Sequence, residues 1–370
     1  MSTPVQHTAV LIIGGGPAGA SAALSLLNYS DFSVTLVEQS DFNRTRVGEH
    51  VSASIFDLID YLKIEKADFE PESFFPLHAS KSYWGNDQPS TTHSIFTAEE
   101  ASYQLDREKF DLKLIEVAAE RGATIFPRTK CSEFKQLEDK SWQVLLSHPT
   151  QGKFTILADY LVDASGRTGG VGRQLGVPAQ KYDDLMGAGL FLTLDQQRTP
   201  FEQTLEATEL GWWYCACLPE NKMVATFFTD ADILSKHQLH QLDAWRETLK
   251  ATRHVKKLLN GAKALSQKPW VRNAQTRISN ASKIDRFIAI GDAAVSFDPI
   301  SSMGIGFTIS SACHAARHIK NELSQKPTTT AIFQQDLMDN FSRYIQLRKR
   351  VYQLEKRWAS STFWKRRNQA

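Results

Sequence analysis

Short, uninterrupted apolar runs punctuate the chain. The first, Ala9 to Ile13 (AVLII), has the pattern of a strand buried on both faces. The glycine-rich GGGPAG follows, then ASAALSLL with helical character, then SVTLVE (Ser33 to Glu38) as a second strand. Together these predict a β–α–β unit of about thirty residues. A helix is predicted over Arg107 to Arg121, where Phe110, Leu114 and Ala118 recur at a spacing of four. GATIF and WQVLL predict strands, and ADYLVDASGR predicts a buried strand ending in a turn of small residues. RFIAIGDAA (Arg286 to Ala294) restores the buried-strand pattern, and a helix runs from Gly304 to about residue 323. SQKPTTT reads as a linker, and residues 330 to 370 as helical, with Phe333, Leu337, Phe341 and Tyr344 on one face.

Alternating strand-like patches interrupt this α/β pattern twice. KSYWG lies in the first interruption; GAGLFLTL, GWWYCACL and MVATFF lie in the second. The expected fold class is α/β with an inserted sheet-rich domain. Residues 1–75, 104–181 and 277–325 would form the discontinuous α/β domain, 76–103 and 182–276 the insertion, and 326–370 a C-terminal helical segment. A length of 370 residues suits two domains.

Composition changes this picture little. Hydrophobic residues make up 42% and charged residues 23%, as in an ordinary soluble globular protein, and the formal charge of +2 argues against a nucleic-acid partner. Cys131, Cys215, Cys217 and Cys313 form no CxxC pair, so free thiols in a reducing compartment are expected. Cys215 and Cys217 would share one face of a strand as buried thiols. His237 and His240 form an HxxH without a carboxylate motif, so no metal is expected. Ala9 to Leu27 lacks charge over a membrane-spanning length, but GGGPAG in its middle favours strand–turn–helix. The start of the chain lacks a basic secretory signal, and the chain reads as cytoplasmic, with no membrane association.

Gly14, Gly16 and Gly19 follow a strand and open a helix, the setting a dinucleotide-binding GxGxxG requires. Gly14 permits the tight turn, Gly16 lets a pyrophosphate approach the backbone, and Gly19 allows close helix–strand packing. The helix start offers N–H groups to phosphates. Glu38 closes the second strand, where a carboxylate accepts hydrogen bonds from an adenosine ribose and disfavours a 2′-phosphate.

The stretch GDAAVSFDPISSMGIGF (Gly291 to Phe307) separates FAD from NAD. Asp292, at the end of a buried strand, is placed to bind a polyol chain such as ribityl. DPISSMGIG then gathers backbone N–H groups and a helix start near one point, which suits the electron-rich edge of a reduced flavin.

GGGPAG, Glu38, RVGE, LDREKFD, VDASGR and GDAAVSFDPISSMGIG, in this order, resemble flavoprotein monooxygenases of the p-hydroxybenzoate hydroxylase fold class. The resemblance implies a Rossmann-like FAD-binding domain of the glutathione reductase and p-hydroxybenzoate hydroxylase type, with an antiparallel-sheet substrate domain inserted. It implies FAD contacts from Gly14, Gly16, Pro17, Ala18, Gly19, Glu38, Gln39, Arg46, Gly48, Glu49, Arg107, Cys131, Ala164, Ser165, Gly166, Gly291, Asp292, Pro299, Met303, Gly304 and Ile305. Glu49 and His50 are the candidate catalytic residues beside the ring. DASGR (Asp163 to Arg167) stands where single-component hydroxylases carry an Asp–Gly pair. In this it resembles the geranylgeranyl reductase and tryptophan halogenase branches, so a separate electron donor is implied.

Two departures count against halogenation. The slots of the halogenase WxWxIP motif read Tyr214, Ala216, Leu218 and Pro219, and Lys81 has no fixed register to the lysine halogenases use. GWWY, TDADIL and the tail KRWASSTFWKRR resemble the maturation flavoproteins of cysteine tryptophylquinone enzymes, the partners of glycine oxidase and lysine ε-oxidase. This implies oxygenation of a tryptophan side chain in a precursor protein. The competing readings are an FAD halogenase or oxidoreductase for a small aromatic molecule, and a flavin-carrying assembly factor without catalysis. Trp84, Trp212, Trp213 and Tyr214 are either the substrate wall or sheet core. Residues 348–370 hold eight Lys/Arg and one Glu, net +7, against net −5 elsewhere. Such a tail either stays solvated or docks an acidic partner through Lys365, Arg366 and Arg367.

Overall fold

The computed structural model describes residues 6–42, 50–77, 79–90, 102–195, 202–326 and 330–369. Its first large sheet is built around Gly152–Asp163. Gln6–Ile13 lies parallel to this strand, followed outward by Val34–Val37 and Thr124–Phe126, all parallel. On the other side the central strand divides its partners. Its first half forms a hairpin ladder with Trp142–His148, and its last three residues pair in parallel with Phe287–Ala289. Lys130–Gln136 closes that edge. The ends of Gln6–Ile13, Gly152–Asp163 and Phe287–Ala289 therefore lie side by side, and GGGPAG, DASGR and GDAA all leave the sheet at one edge.

The helix Pro17–Tyr29 is rich in alanine, which lets it sit between this sheet and the helix Gly304–Leu323. The helix Arg107–Glu120 begins with a side-chain cap: Asp106 accepts the N–H groups of Glu108 and Lys109. It ends one residue before the predicted boundary. Val10, Ile12, Leu36, Val162 and Ile288 are fully buried or nearly so beneath the helices. Each contributes about 1.5–3 kcal/mol by leaving water.

The second large sheet is antiparallel except at one edge. Its order is Lys263–Ala264, Leu185–Thr193, Lys222–Asp230, Gly211–Leu218, Glu202–Thr208 and Ala79–Tyr83, with Trp270–Asn273 also paired to Leu185–Thr193. Ala79–Tyr83 runs parallel to Glu202–Thr208. The pleat sorts its side chains cleanly. Trp213, Cys215, Cys217, Ala225 and Phe227 face one way and pack on Leu234, Trp245 and Val255. Trp212, Tyr214, Thr226 and Phe228 face the other way, toward the first sheet. Within the first expected interruption, Ala79–Tyr83 joins this sheet. Phe74–Leu77 and Ser102–Leu105 instead pair in a small sheet with His50–Ser52.

The C-terminal helix runs over Thr330–Leu354 and buries Phe333, Leu337, Phe341 and Tyr344 as its periodicity predicts. A break follows before the helix Thr362–Gln369. Phe363 and Trp364 insert into an aromatic cluster with Trp84, Trp212 and Tyr352. Among the described residues no helix is long and apolar enough to cross a membrane. No described cluster of His, Cys, Asp or Glu is arranged to hold a metal.

Candidate active site

A cavity of about 830 Å3 lies between the sheet edge where the three motifs emerge and the inward face of the second sheet. One end is walled by Glu38, Gln39, Thr129, Lys130 and Cys131. Gly14, Gly16, Pro17, Ala18 and the turn Ala164–Thr168 form its floor; Asp292, Pro299, Ser302, Gly304 and Ile305 continue it toward the second sheet.

The glycine turn is built for a close neighbour. Gly14 has φ +119°, and a Cβ there would lie 2.6 Å from the Ala164 carbonyl carbon. Gly16 precedes the helix in an extended conformation with no side-chain cap, and Pro17 occupies the first turn, so the N–H groups of that turn remain available to phosphate oxygens. Glu38 Oε2 accepts the Gly15 N–H at 2.7 Å and Oε1 accepts the Ser40 N–H at 2.8 Å. The carboxylate thus braces the glycine turn while facing the cavity.

Asp163 holds the DASGR turn. Its Oδ1 accepts the Ser165 N–H at 2.9 Å and hydroxyl at 2.6 Å, and Oδ2 accepts the Gly172 N–H at 2.8 Å. Burial raises its carboxyl above the usual range, while these donors pull the other way. Arg167, from the same turn, reaches Asp292 at 3.4 Å and donates to the Phe297 carbonyl at 2.8 Å. DASGR and GDAA, read as separate motifs in the sequence, meet here. Arg107 lines the cavity with its guanidinium held in two bonds of 3.0 Å to Asp111.

Gly19, Gly291 and Met303 do not line the cavity. A Cβ on Gly19 would run into the Gly14 carbonyl oxygen. Gly291 has φ +54°, and a Cβ there would sit 2.9 Å from Ala18 Cβ. Both glycines set spacing behind the wall. Among the candidate catalytic residues, His50 is buried on the cavity wall. Glu49, with Arg46 and Gly48, lies outside the described residues.

Asp298 to Gly304 form a tight loop. Asp298 is fully buried and caps the turn Pro299–Ser301; Ser302 lies on the cavity wall at φ +52°, strained for a residue with a side chain. The helix Gly304–Leu323 begins without a side-chain cap, its positive end toward the cavity. Asp298 is anchored from the C-terminal helix. Arg348 Nε donates to it at 3.1 Å and the Tyr352 hydroxyl at 2.7 Å. Burial, then the Asp298 carboxylate, holds the Tyr352 hydroxyl well above its ordinary range, so it stays a donor. Tyr352 also accepts the indole N–H of Trp212 at 3.2 Å. Arg348 reaches on to Asp183 at 2.8 Å, which accepts the N–H groups of Leu185 and Thr276. Asp183, Asp298, Arg348 and Tyr352 were not singled out from the sequence. Their only signal is polar residues amid apolar periodicity.

On the substrate side Trp212 stacks on Phe228, ring centres 4.2 Å apart. Tyr214 and Trp270 extend this wall, and Gly187 and Gly189 leave room for the rings of Phe228 and Trp270. Of the four aromatic candidates, Trp212 and Tyr214 therefore line the cavity. Trp213 packs in the core behind the sheet, and Trp84 lies behind Trp212. Lys81 points away from the cavity and pairs with Glu202 at 2.7 Å, while its neighbours Ser80 and Ser82 face in.

Four basic residues of the tail are tied to the chain's own carboxylates, while Lys349, Arg350, Lys356 and Lys365 are exposed. Arg367 is buried against Asp230, Arg366 pairs with Asp230 and Asp232, Arg348 is buried between Asp183 and Asp298, and Arg357 pairs with Glu355 and Asp87. Of the tail residues weighed as solvated or as docking a partner, Arg366 and Arg367 are held by the chain's own carboxylates, while Lys365 is exposed.

The FAD binding domain family matches residues 7–331. LodB of Marinomonas mediterranea, which bears the name of an FAD-dependent oxidoreductase, is 41% identical over 358 residues, covering 97% of this chain and 96% of that protein. The flavin-dependent halogenase CmlS superposes with a TM-score of 0.84 at 25% identity, covering 98% of this chain and 68% of its own. The peptidyl tryptophan dihydroxylase QhpG superposes at 0.77 with 21% identity, covering 98% and 78%. A glycine cradle shaped for a pyrophosphate, a braced Glu38 and end-to-end similarity to flavoproteins converge: the chain belongs to the FAD binding domain family and is an FAD-dependent oxidoreductase.

Proposed function

We propose that this protein oxygenates a tryptophan side chain of a precursor protein during biogenesis of a cysteine tryptophylquinone cofactor. The observation that carries the reading is that one continuous cavity has the dinucleotide cradle on one side and the Trp212–Phe228–Trp270 wall on the other. An aromatic wall of this kind suits a flat, electron-rich ring. LodB is similar over almost the whole of both chains. QhpG, which shares the fold, is described as essential for tryptophylquinone cofactor biogenesis, and that description supports the same class of substrate.

In this reading Gly14, Gly16, Pro17 and Ala18 hold the pyrophosphate, Glu38 the ribose, and Arg107, Arg167 and Asp292 the central part of FAD. Reduced flavin supplies activated oxygen for transfer to an electron-rich ring. The protein's part is placement and electrostatics. The loop from Asp298 and the uncapped helix start at Gly304 oppose negative charge with N–H groups, and the aromatic wall excludes water from the reacting face. Each oxygen atom inserted from O2 takes two electrons from a separate donor and releases the other atom as water.

The orientation of Lys81 argues against halogenation, because the one lysine on the Ala79–Tyr83 strand is directed away from the cavity. Intact-mass spectrometry of a co-expressed quinoenzyme precursor tests the proposal. Added oxygen on one tryptophan, dependent on FAD binding, is expected. A stable complex with no mass change would support the assembly-factor reading instead, and halide-dependent modification of a free indole would support a halogenase.

A further inference from the structure

The inward face of the second sheet carries polar groups that its own fold does not use. Gln203 is 3% exposed and lines the cavity, and its amide oxygen has no hydrogen-bond partner. Its amide nitrogen is engaged, donating to the Ser80 hydroxyl at 2.8 Å. The Ser82 hydroxyl, on the strand beside it, and the Thr226 hydroxyl, beyond Tyr214, are also buried on the wall without partners. A buried polar group left unpaired is destabilising, so three of them on one wall call for something to complete them. All three are neutral. A carboxylate or ammonium placed among them would have only neutral groups as its hydrogen-bond partners.

We propose that Gln203, with Ser80 holding its amide in place, is the recognition subsite for the ring N–H of a neutral indole lying on the Tyr214 side of the aromatic wall. The inference rests on the tryptophan reading above and adds the atom that selects it. The amide oxygen accepts, so the group that completes it must donate. A flat aromatic carrying one N–H in its plane satisfies both the aromatic stack and the acceptor, whereas a phenyl ring satisfies only the stack. Such a site discriminates strongly, because an analogue lacking the donor leaves the amide buried and unpaired.

The test uses the FAD-loaded full chain and two probes of nearly equal shape, N-acetyl-tryptophanamide and its benzothiophene analogue, which replaces the ring N–H by sulfur. Binding is followed by the change in flavin absorbance. Wild-type protein should bind the indole at least about tenfold more tightly, the factor of one hydrogen bond to a buried acceptor. Gln203→Leu should bind the two probes equally. Equal binding of both probes by wild type, or a preference that survives in Gln203→Leu, overturns the subsite while leaving the tryptophan reading in place. If neither probe binds the wild type, the subsite falls, and the tryptophan reading rests on the mass of the precursor alone.

Discussion

Arg367 and Asp230 form a two-pronged ion pair inside the protein, with guanidinium–carboxylate distances of 2.7 and 3.2 Å. The Arg367 guanidinium also lies over the Phe363 ring, 3.6 Å from its centre. Removing one partner strands a buried charge, so Arg367→Ala should destabilise the protein by about 3–5 kcal/mol. Lys365, exposed on the same helix, should tolerate Lys365→Glu within about 0.5 kcal/mol. Urea denaturation of the two variants separates a structural tail from a solvated one; equal midpoints would show that the Arg367 pair carries no stability.

Gly14→Ala should cost flavin before it costs fold. The backbone at φ +119° and the Ala164 carbonyl both oppose a methyl group. The strain is about 1–3 kcal/mol and falls on the turn that meets the pyrophosphate. The purified variant should carry little FAD, measured as visible absorbance per protein, with far-ultraviolet circular dichroism near that of the wild type.

Glu38→Gln should weaken FAD binding about ten- to hundredfold, the range of a lost charge-assisted hydrogen bond. Glutamine can accept from only one of the Gly15 and Ser40 N–H groups and turns its own N–H toward the other. Titration of the apoprotein with FAD, read by quenching of flavin fluorescence, checks this. Unchanged affinity would mean the carboxylate only ends a strand.

The thiols should be silent at neutral pH. Burial pushes Cys131 and Cys313 up to about 12, and Cys215 further. A raised thiol pKa leaves the reactive thiolate scarce below it, so alkylation of native protein by iodoacetamide should be slow at pH 8. Its rate should rise about tenfold per pH unit through pH 10 without levelling. Levelling near pH 9 would mean an accessible, ordinary thiol.

The dinucleotide cradle was legible because its requirements are local. Gly14, Gly16, Gly19 and Glu38 lie within one β–α–β unit, and their spacing alone states the turn, the close approach and the acceptor. The division of the second sheet was legible in part. Period-two alternation puts Trp212 and Tyr214 on one face and Trp213 on the other, but the sequence does not say which face meets the cofactor. Lys81 shows the limit: its side depends on pairing with Glu202, 121 positions away. Arg348 and Asp298 escaped for the same reason, and so did the Arg167–Asp292 contact. A charged residue on a helix looks like a solvated one until a distant carboxylate is folded against it. The strand Glu202–Thr208 carried one unread signal: EQTLEAT places polar residues at positions that are nearly all buried. Polar residues buried on both faces of a strand call for partners, some supplied by the protein and some by what it binds.

The aromatic cluster behind Trp212 has a bearing on how the protein is made. Tyr352, Phe363 and Trp364 pack against Trp84 and Trp212, and the Trp364 indole donates to the Thr208 carbonyl. The ribosome delivers these residues more than a hundred positions after Thr208 and Trp212, which they back. A nascent chain that has exposed its glycine turn still lacks the backing of its substrate wall. The substrate wall is therefore complete only after Trp364 has left the exit tunnel, and a chain clipped in the 355–361 break would present an unbacked indole surface.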